Sequence, residues 1–480
     1  MLRINLRDEI FGNEAGEDED IQLLESYFVD NSKFNKFLDF EKKISIISAK
    51  KGMGKSALLM ILYKKLQDNN QKFVIKETGN NLLSLGSFNG TDSSYLENYW
   101  KQVICKRINI EIGKKINLAL NDTSISMVES AEINGFKSKN MLSALIDRLS
   151  LKIPMLPEKK EVVQKNSVEL LRRYKDENKD QKIWILIDDI DAKYLDDESN
   201  QARVSAFFSA IRSLVNEMEG LYIRTTIRSD VWTNLRYIED LDKIEQYKIE
   251  INWTQKQIRD ILSKQILAYV KRKHPDSKEA AYEHETDYNS LFKLIFESPI
   301  QWQGQEASIF NAIHAFSNKR PRWLNQVCRM GLEQAIEANS RAQKVKLENL
   351  NQIMQKFGRN RKADLLKEHG HQFEELDSFI DSFRGHKKEY SYDDLMLAIN
   401  SFFVRERDIK EISKIDGLIT QNVHDLGAFA YKIGLISHKD GTNFTHYNDH
   451  PDLFNSMENR TNRLNWSIHI SYWEYLNLRH

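Results

Sequence analysis

Lys43-Ile44-Ser45-Ile46-Ile47-Ser48 runs directly into Ala49-Lys50-Lys51-Gly52-Met53-Gly54-Lys55-Ser56, and the apolar stretch Ala57 to Leu66 follows. The first six residues read as a buried strand, the last ten as a helix, and the glycines between them as a tight loop. A loop in that position presents backbone N–H groups at a helix N-terminus, which makes a nest for phosphate. Lys55 would place a point charge on the β- and γ-phosphates, and the Ser56 hydroxyl would ligate Mg²⁺. The run Ala49, Lys50, Lys51, Gly52, Met53, Gly54, Lys55, Ser56 and Ala57 is therefore the candidate nucleotide-binding segment. Ala49 stands where the GxxxxGK[ST] pattern has its first glycine, the smallest departure available. Gly-Lys-Ser alone arises by chance; its seat between a buried strand and an apolar helix is what carries the reading.

Working outward, Lys72 to Glu77, Lys182 to Asp188 and Leu221 to Ile227 are also short, β-branched or aromatic runs bounded by charge, with a weaker one at Tyr247 to Ile251. Helical periodicity fills Lys55 to Gln67, Ser94 to Asn117, Val162 to Glu177, Asn200 to Glu219 and Thr254 to Lys273. Strands alternating with helices predict an α/β fold, a P-loop NTPase-type parallel sheet with helices on both faces. From about Tyr282 the strand signal fades and helices such as Leu324 to Asn339 and Leu347 to Lys356 dominate, predicting a helical lid. Beyond Ser391, helices at Asp393 to Phe403 and Val423 to Ile433 precede Leu435 to His438 and Asn443 to His446, joined through Lys439-Asp440-Gly441. An Asp-Gly pair between extended runs is a hairpin signal, so the last part reads as winged-helix-like. The expected divisions are a core over 1–280, a lid over 281–390 and the winged-helix-like part over 391–480.

A nucleotide site needs a second acidic element. Ile183 to Ile187 delivers Asp188 and Asp189 at the end of an apolar strand, and alternation sends the two carboxylates in different directions. Asp188 is the candidate Mg²⁺ ligand and Asp189 the candidate for polarising the attacking water. From Lys55 to Asp188 is 188 − 55 = 133 residues, room for an additional strand and several helices, which suits ATPases better than small-molecule kinases. Arg228, at the end of Leu221 to Ile227, is the candidate γ-phosphate sensor, with Arg224 as the alternative and a surface salt bridge as the plain reading. Arg320-Pro321-Arg322 opens a later helix, proline fitting its first turn; either arginine could reach phosphate, or the group could be a solvated basic face.

The chain has 480 residues, 41% of them apolar, with 70 basic against 70 acidic side chains. No run approaches the ~18 apolar residues of a membrane span, and Met1 to Glu9 holds no apolar signal region; a cytoplasmic location without membrane contact is expected. Cys105 and Cys328 are too few for a disulfide framework and are expected to be buried. Trp100, Trp184, Trp253 and Trp302 read as packing. His369 with His371, and His446 with His450, lack the company of a zinc site, leaving Mg²⁺ as the expected metal. Only 6 prolines, against a usual ~5%, point to long helices. From Asp381 to His480 there are 12 Lys/Arg against 14 Asp/Glu, a poor surface for DNA, which is read by clustered cations.

With these residues assembled, the chain resembles bacterial STAND and AAA+-type P-loop ATPases, in particular a subgroup associated with antiphage defence. Phe11-Gly12-Asn13 followed by acids resembles that subgroup's opening, and AKKGMGKSAL is similar to its GRKGSGKSAL loop. Asp188-Asp189, Ile227-Arg228-Ser229-Asp230, Ile251-Asn252-Trp253, Arg320-Pro321-Arg322 and Arg359 to Glu368 fall at the subgroup's places. Ala49, Trp323 in place of the commoner Asp, and Ile470 in an Ile-His-Pro ending depart from it. The resemblance implies ATP with Mg²⁺, slow hydrolysis used as a conformational switch on a protein effector or trigger, and a nucleotide-dependent homo-oligomer as one mode of action. The alternatives are a DNA-engaging ATPase that uses the winged helix, and a nucleotide-binding scaffold without turnover.

Overall fold

Every residue of β1 (Ile44–Ala49) is buried, as expected of a strand whose isoleucines have covered sheet faces on either side. Ile46 and Ile47 are 0% exposed, each a contribution of about 1.5–3 kcal/mol from burial. The computed structural model describes residues 2–13, 16–71, 73–85, 90–115, 166–192, 194, 197–235, 242–407, 414–415, 418–419, 422–441, 443–447 and 449–479. Glu14 and Ala15 of the amino-terminal motif, Lys72, Asn117, residues 162–165 and Asp196 lie outside the described residues.

Among them are β2 (Phe73–Thr78), β3 (Ile183–Asp188), β4 (Leu221–Arg228) and β5 (Lys248–Glu250), which join β1 in one parallel sheet of order β2-β3-β4-β1-β5. The chain thus folds as an α/β protein of the P-loop type. All five expected strands are present, the weak fifth included. β4 lies between β1 and β3, with Ala49 opposite Arg228 and Thr78 opposite Asp188. β3 and β4 are almost wholly buried, so their near-continuous apolar runs match a sheet covered on both faces. Trp184 stacks on Tyr222 with ring centroids 4.4 Å apart, and Trp100 packs edge-on against Phe207 at 5.2 Å. Cys105 belongs to the same core.

The described chain divides into two compact units. The sheet unit comprises Asn31–Ala49 and Leu58–Ile251. The other comprises Met1–Asp30, Lys50–Ala57 and Asn252–His480, so it takes the phosphate-loop residues and the first turn of α1 (Lys55–Asp68). It continues through α2 (Gln255–Lys273), the hairpin of β6 (Ile300–Trp302) and β7 (Gln305–Ala307), α3 (Ile309–Ser317), α4 (Pro321–Ala338) and α5 (Leu347–His369). That hairpin is a strand pair in a segment expected to be helical. Its turn, Gln303-Gly304, has φ of +50° and +79°, the conformation that closes two-residue hairpins.

After β8 (Glu389–Tyr390) come the two-residue strands β9 (Lys414–Ile415) and β10 (Leu418–Ile419), then α6 (Val423–Ile433), whose bounds match the expectation. β11 (Ile436–Asp440) and β12 (Asn443–Thr445) form the expected hairpin, with Asp440 opposite Asn443. β13 (Trp466–Ile468) extends it into a four-stranded sheet of order β12-β11-β13-β8. One apolar core runs from Leu365 through Phe379, Leu395, Phe429 and Trp466 to Leu478. No helix among the described residues is long and apolar enough to cross a membrane.

Candidate functional site

The phosphate loop owes its course to two glycines and to its carbonyls. Gly52 and Gly54 have φ of +78° and +92°, which L side chains rarely adopt. The Lys51 carbonyl accepts from Arg320 Nη1 at 3.5 Å, that of Gly52 from the Arg322 backbone N–H at 3.2 Å, and that of Met53 from Trp253 Nε1 at 3.0 Å. A trans peptide directs its C=O and the next N–H oppositely. With three successive carbonyls engaged, the amides of Gly52, Met53 and Gly54 each point away from the partner of the preceding carbonyl, which leaves them available to a phosphate nest. Lys55 opens α1 and is 7% exposed; Ser56 and Ala57 follow it, half-buried.

Lys50 turns elsewhere. Its Nζ donates to the Lys432 carbonyl at 3.0 Å, at the end of α6, and lies 5.3 Å from the Tyr447 ring centroid. Ala49 is 1% exposed and sits in the strand ladder, so the missing first glycine occupies ordinary extended backbone.

Arg320 and Arg322 both meet the loop, but differently. The Arg320 guanidinium, 3% exposed, is paired with Glu368 of α5 at 3.0 Å and lies 4.2 Å from the Trp323 ring centroid. Burial raises the Glu368 carboxyl, but Arg320, His369 and Lys50 outweigh it and hold the group below its ordinary value. Arg320 is therefore a buried strut under Lys51, not part of a solvated basic face. Arg322 Cβ would be 2.9 Å from any Cβ added at Gly52, a close approach that keeps glycine there for steric reasons as well.

In the sheet unit, the acids at the end of β3 are held by the neighbouring strand. Asp188 Oδ1 accepts from Thr226 Oγ1 at 2.5 Å and from the Asp189 N–H at 3.0 Å. Asp189 is exposed and has φ +46°, a left-handed residue immediately after a strand and of the kind found at functional sites. Its N–H also donates to Thr226 Oγ1 at 2.9 Å. Thr226, 0% exposed, holds the Asp188 carboxylate and the Asp189 backbone N–H and is not singled out by the sequence; two consecutive threonines in a buried strand are the available signal.

Arg228, 18% exposed, pairs through Nε with Asp191 at 2.8 Å, while Asp230 lies 3.8 Å from its Nη2. Asp191, two residues beyond Asp189, is its 2%-exposed partner. Arg224 has a different task. It is fully buried, donating to the carbonyls of Phe37, Ile223 and Asp39 at 2.8, 3.1 and 2.7 Å. Burial lowers its pKa to about 9, against the opposing pull of Asp39 and Tyr222. That set of contacts makes Arg224 a brace inside the sheet unit and removes it as a phosphate sensor.

No family model and no curated protein matches the chain. Among solved structures, it is similar to a Walker-type ATPase of Pyrococcus abyssi at 14% identity and a TM-score of 0.38, covering 89% of this chain and 95% of that one. It is similar to Cdc6p of Pyrobaculum aerophilum at 13% identity and a TM-score of 0.30, covering 90% and 92%. The Aeropyrum pernix ORC1 protein, solved in complex with DNA, aligns at 11% identity and a TM-score of 0.32 over 98% and 94% of the two chains.

Proposed function

We propose that the chain is an ATP-binding, slowly ATP-hydrolysing P-loop enzyme that acts as a conformational switch on a protein partner. The observation that carries the nucleotide reading is the loop itself: two left-handed glycines, three engaged carbonyls and Lys55 at the head of α1. In this reading the loop from Ala49 to Ala57 receives the phosphates, Ser56 and Asp188 hold Mg²⁺, and Asp189 orients the attacking water. Arg228 answers to the γ-phosphate by exchanging its carboxylate partners. Magnesium supplies charge neutralisation on the phosphate oxygens.

The switch reading is supported by what the loop's carbonyls are tied to. Trp253, Arg320 and Arg322 all come from far along the chain, so a phosphate-induced change in the loop must either preserve or break those ties. A ligand shifts such an equilibrium only through unequal affinity for the two states. The near balance of charge from Asp381 to His480 favours a protein over DNA as the partner; the resemblance extends this to a partner in antiphage defence.

The experiment is nucleotide binding and phosphate release by the full chain, with and without duplex DNA. Lys55→Ala should abolish both tight ATP binding and hydrolysis, and unchanged affinity in a folded variant would remove the loop from the site. Duplex DNA should leave turnover unaltered and bind at roughly 10⁻⁴ M or more weakly at physiological salt. Micromolar DNA affinity lost on truncation at about Ser391, with turnover unchanged, would decide for the DNA-engaging alternative.

A further inference from the structure

Three histidines outside the phosphate loop converge on one cavity. It measures about 210 Å³ and is walled by His314 of α3, His446 just after β12 and His469 just after β13, with Trp302, Gln303 and Phe444 beside them. His446 and His469 have ring centroids 5.3 Å apart. His314 Nε2, His446 Nδ1 and His469 Nε2 are each buried without a hydrogen-bond partner, an arrangement that leaves each of them in want of one.

At His469 the proton can be placed. Its Nδ1 accepts from the Ser471 backbone N–H at 3.3 Å and meets Ser471 Oγ at 2.8 Å. A neutral imidazole that accepts at Nδ1 carries its proton on Nε2, so the 2%-exposed ring presents a buried donor in need of an acceptor.

The surroundings choose the sign of the ligand. Burial, then Lys319, lowers the His314 pKa to about 4, with Asp449 opposing. Burial, Lys319, His314 and Lys50 lower that of His446 to about 3. His469 lies well below its ordinary value through burial, His446, Arg320 and His314. The facing charges are thus Lys50, Lys319 and Arg320 against Asp449, and Asp449 is itself engaged by Lys319 at 2.5 Å. A cation would be repelled there, and the described residues gather no group of His, Cys, Asp and Glu able to hold a metal ion.

We propose that this cavity is a binding site for a small oxyanion, a phosphate or carboxylate group on a compact molecule, whose oxygens accept from the three imidazoles. The volume leaves room for a few atoms beyond the anionic group, against Trp302 and Phe444. An anion also stabilises protonated imidazole, so binding draws protons into the site and strengthens as pH falls. This site is independent of the nucleotide reading.

The test is calorimetric titration of the full chain carrying Lys55→Ala, which removes the phosphate loop as a competing site. Inorganic phosphate and succinate serve as the two probes at about pH 6 and about pH 8, both above the values of the free His314 and His446 imidazoles, so that a proton taken up there is one the anion brings in. One-site binding of either probe is expected, stronger at the lower pH, with proton uptake seen as a dependence of the heat on the buffer's ionisation enthalpy. The preferred probe identifies whether the natural ligand carries phosphate or carboxylate. His446→Gln should weaken binding at least ~10-fold, the scale of one charge-assisted hydrogen bond. Gln303 is exposed, so Gln303→Lys and Gln303→Glu leave the fold alone and should strengthen and weaken binding respectively. No binding of either probe, binding without proton uptake, or binding indifferent to the Gln303 pair overturns the proposal.

Discussion

The carboxylates of β3 and the phosphate loop are held in opposite ways. Asp188 and Asp189 are fixed by Thr226 on the adjacent strand, and Arg228 is fixed by Asp191, all within one sheet unit. The loop is fixed by Trp253, Arg320, Arg322 and Lys432, residues roughly 200 to 380 positions later. Chemistry set by neighbouring strands is constant, whereas a loop set by distant helices can be altered by whatever moves them. If the chain works as proposed, the difference teaches where regulation would act: on the loop, with Asp188 and Asp189 left in place.

The severest break in that comparison is Glu368→Ala. It strands Arg320, 3% exposed, and should cost about 3–5 kcal/mol of stability, read as a lowered thermal midpoint with weakened ATP affinity. A variant stable as the parent would mean that the loop does not depend on this strut. On the sheet side, Asp189→Asn should slow turnover ~100-fold while leaving Mg²⁺-ATP affinity intact. A loss of affinity instead would erase the separation between capture and chemistry.

Acidification sharpens the contrast, because all 12 histidines lie from His274 onward and none falls in the sheet unit. His369, fully buried, is lowered to about 3 mainly by burial, and His446 likewise to about 3. The unfolded chain therefore binds the protons first, and stability present above about pH 6.5 is lost as pH falls. At pH 5 each of these two groups should cost ~2 kcal/mol. Hydrogen exchange should show residues 252–480 opening before the sheet strands do; equal acid sensitivity in both units would contradict this. The smallest effect is expected from Trp253→Phe, which removes the bond to the Met53 carbonyl, about 1 kcal/mol. ATP binding should weaken a few-fold, with turnover at saturation unchanged.

The strands of the parallel sheet were legible because burial on both faces leaves uninterrupted apolar runs, and the loop because glycine, lysine and serine follow one of them. β6 and β7 were not, since Gln301, Gln305 and Glu306 are exposed and three-residue strands carry little periodicity; Gln303-Gly304 lacks the Asn or Asp that usually marks such a turn. The arginines were recognisable as candidates, but their partners were not. Whether Arg320 meets water or Glu368 depends on the packing of two residues 48 positions apart, and Arg224 reads the same whether its fork meets phosphate or the carbonyls of Phe37 and Asp39. Thr226 escaped because a hydroxyl in a buried strand declares a hydrogen bond without naming its acceptor.

The bond between the Arg322 N–H and the Gly52 carbonyl also has a meaning for α4. Its N-cap residue, Arg320, makes no side-chain cap, so one of the first-turn amides that every helix leaves unsatisfied is satisfied by the phosphate loop. The loop is, in effect, the cap of α4. A helix that loses its cap loses about 0.5–2 kcal/mol, and this bond is main-chain, so no exchange of the Arg322 side chain can abolish it except proline, which the first helical turn tolerates. Arg322→Pro would uncap the helix and free the Gly52 carbonyl in one step, and any ligand that reshapes the loop must fray or secure α4 by the same bond.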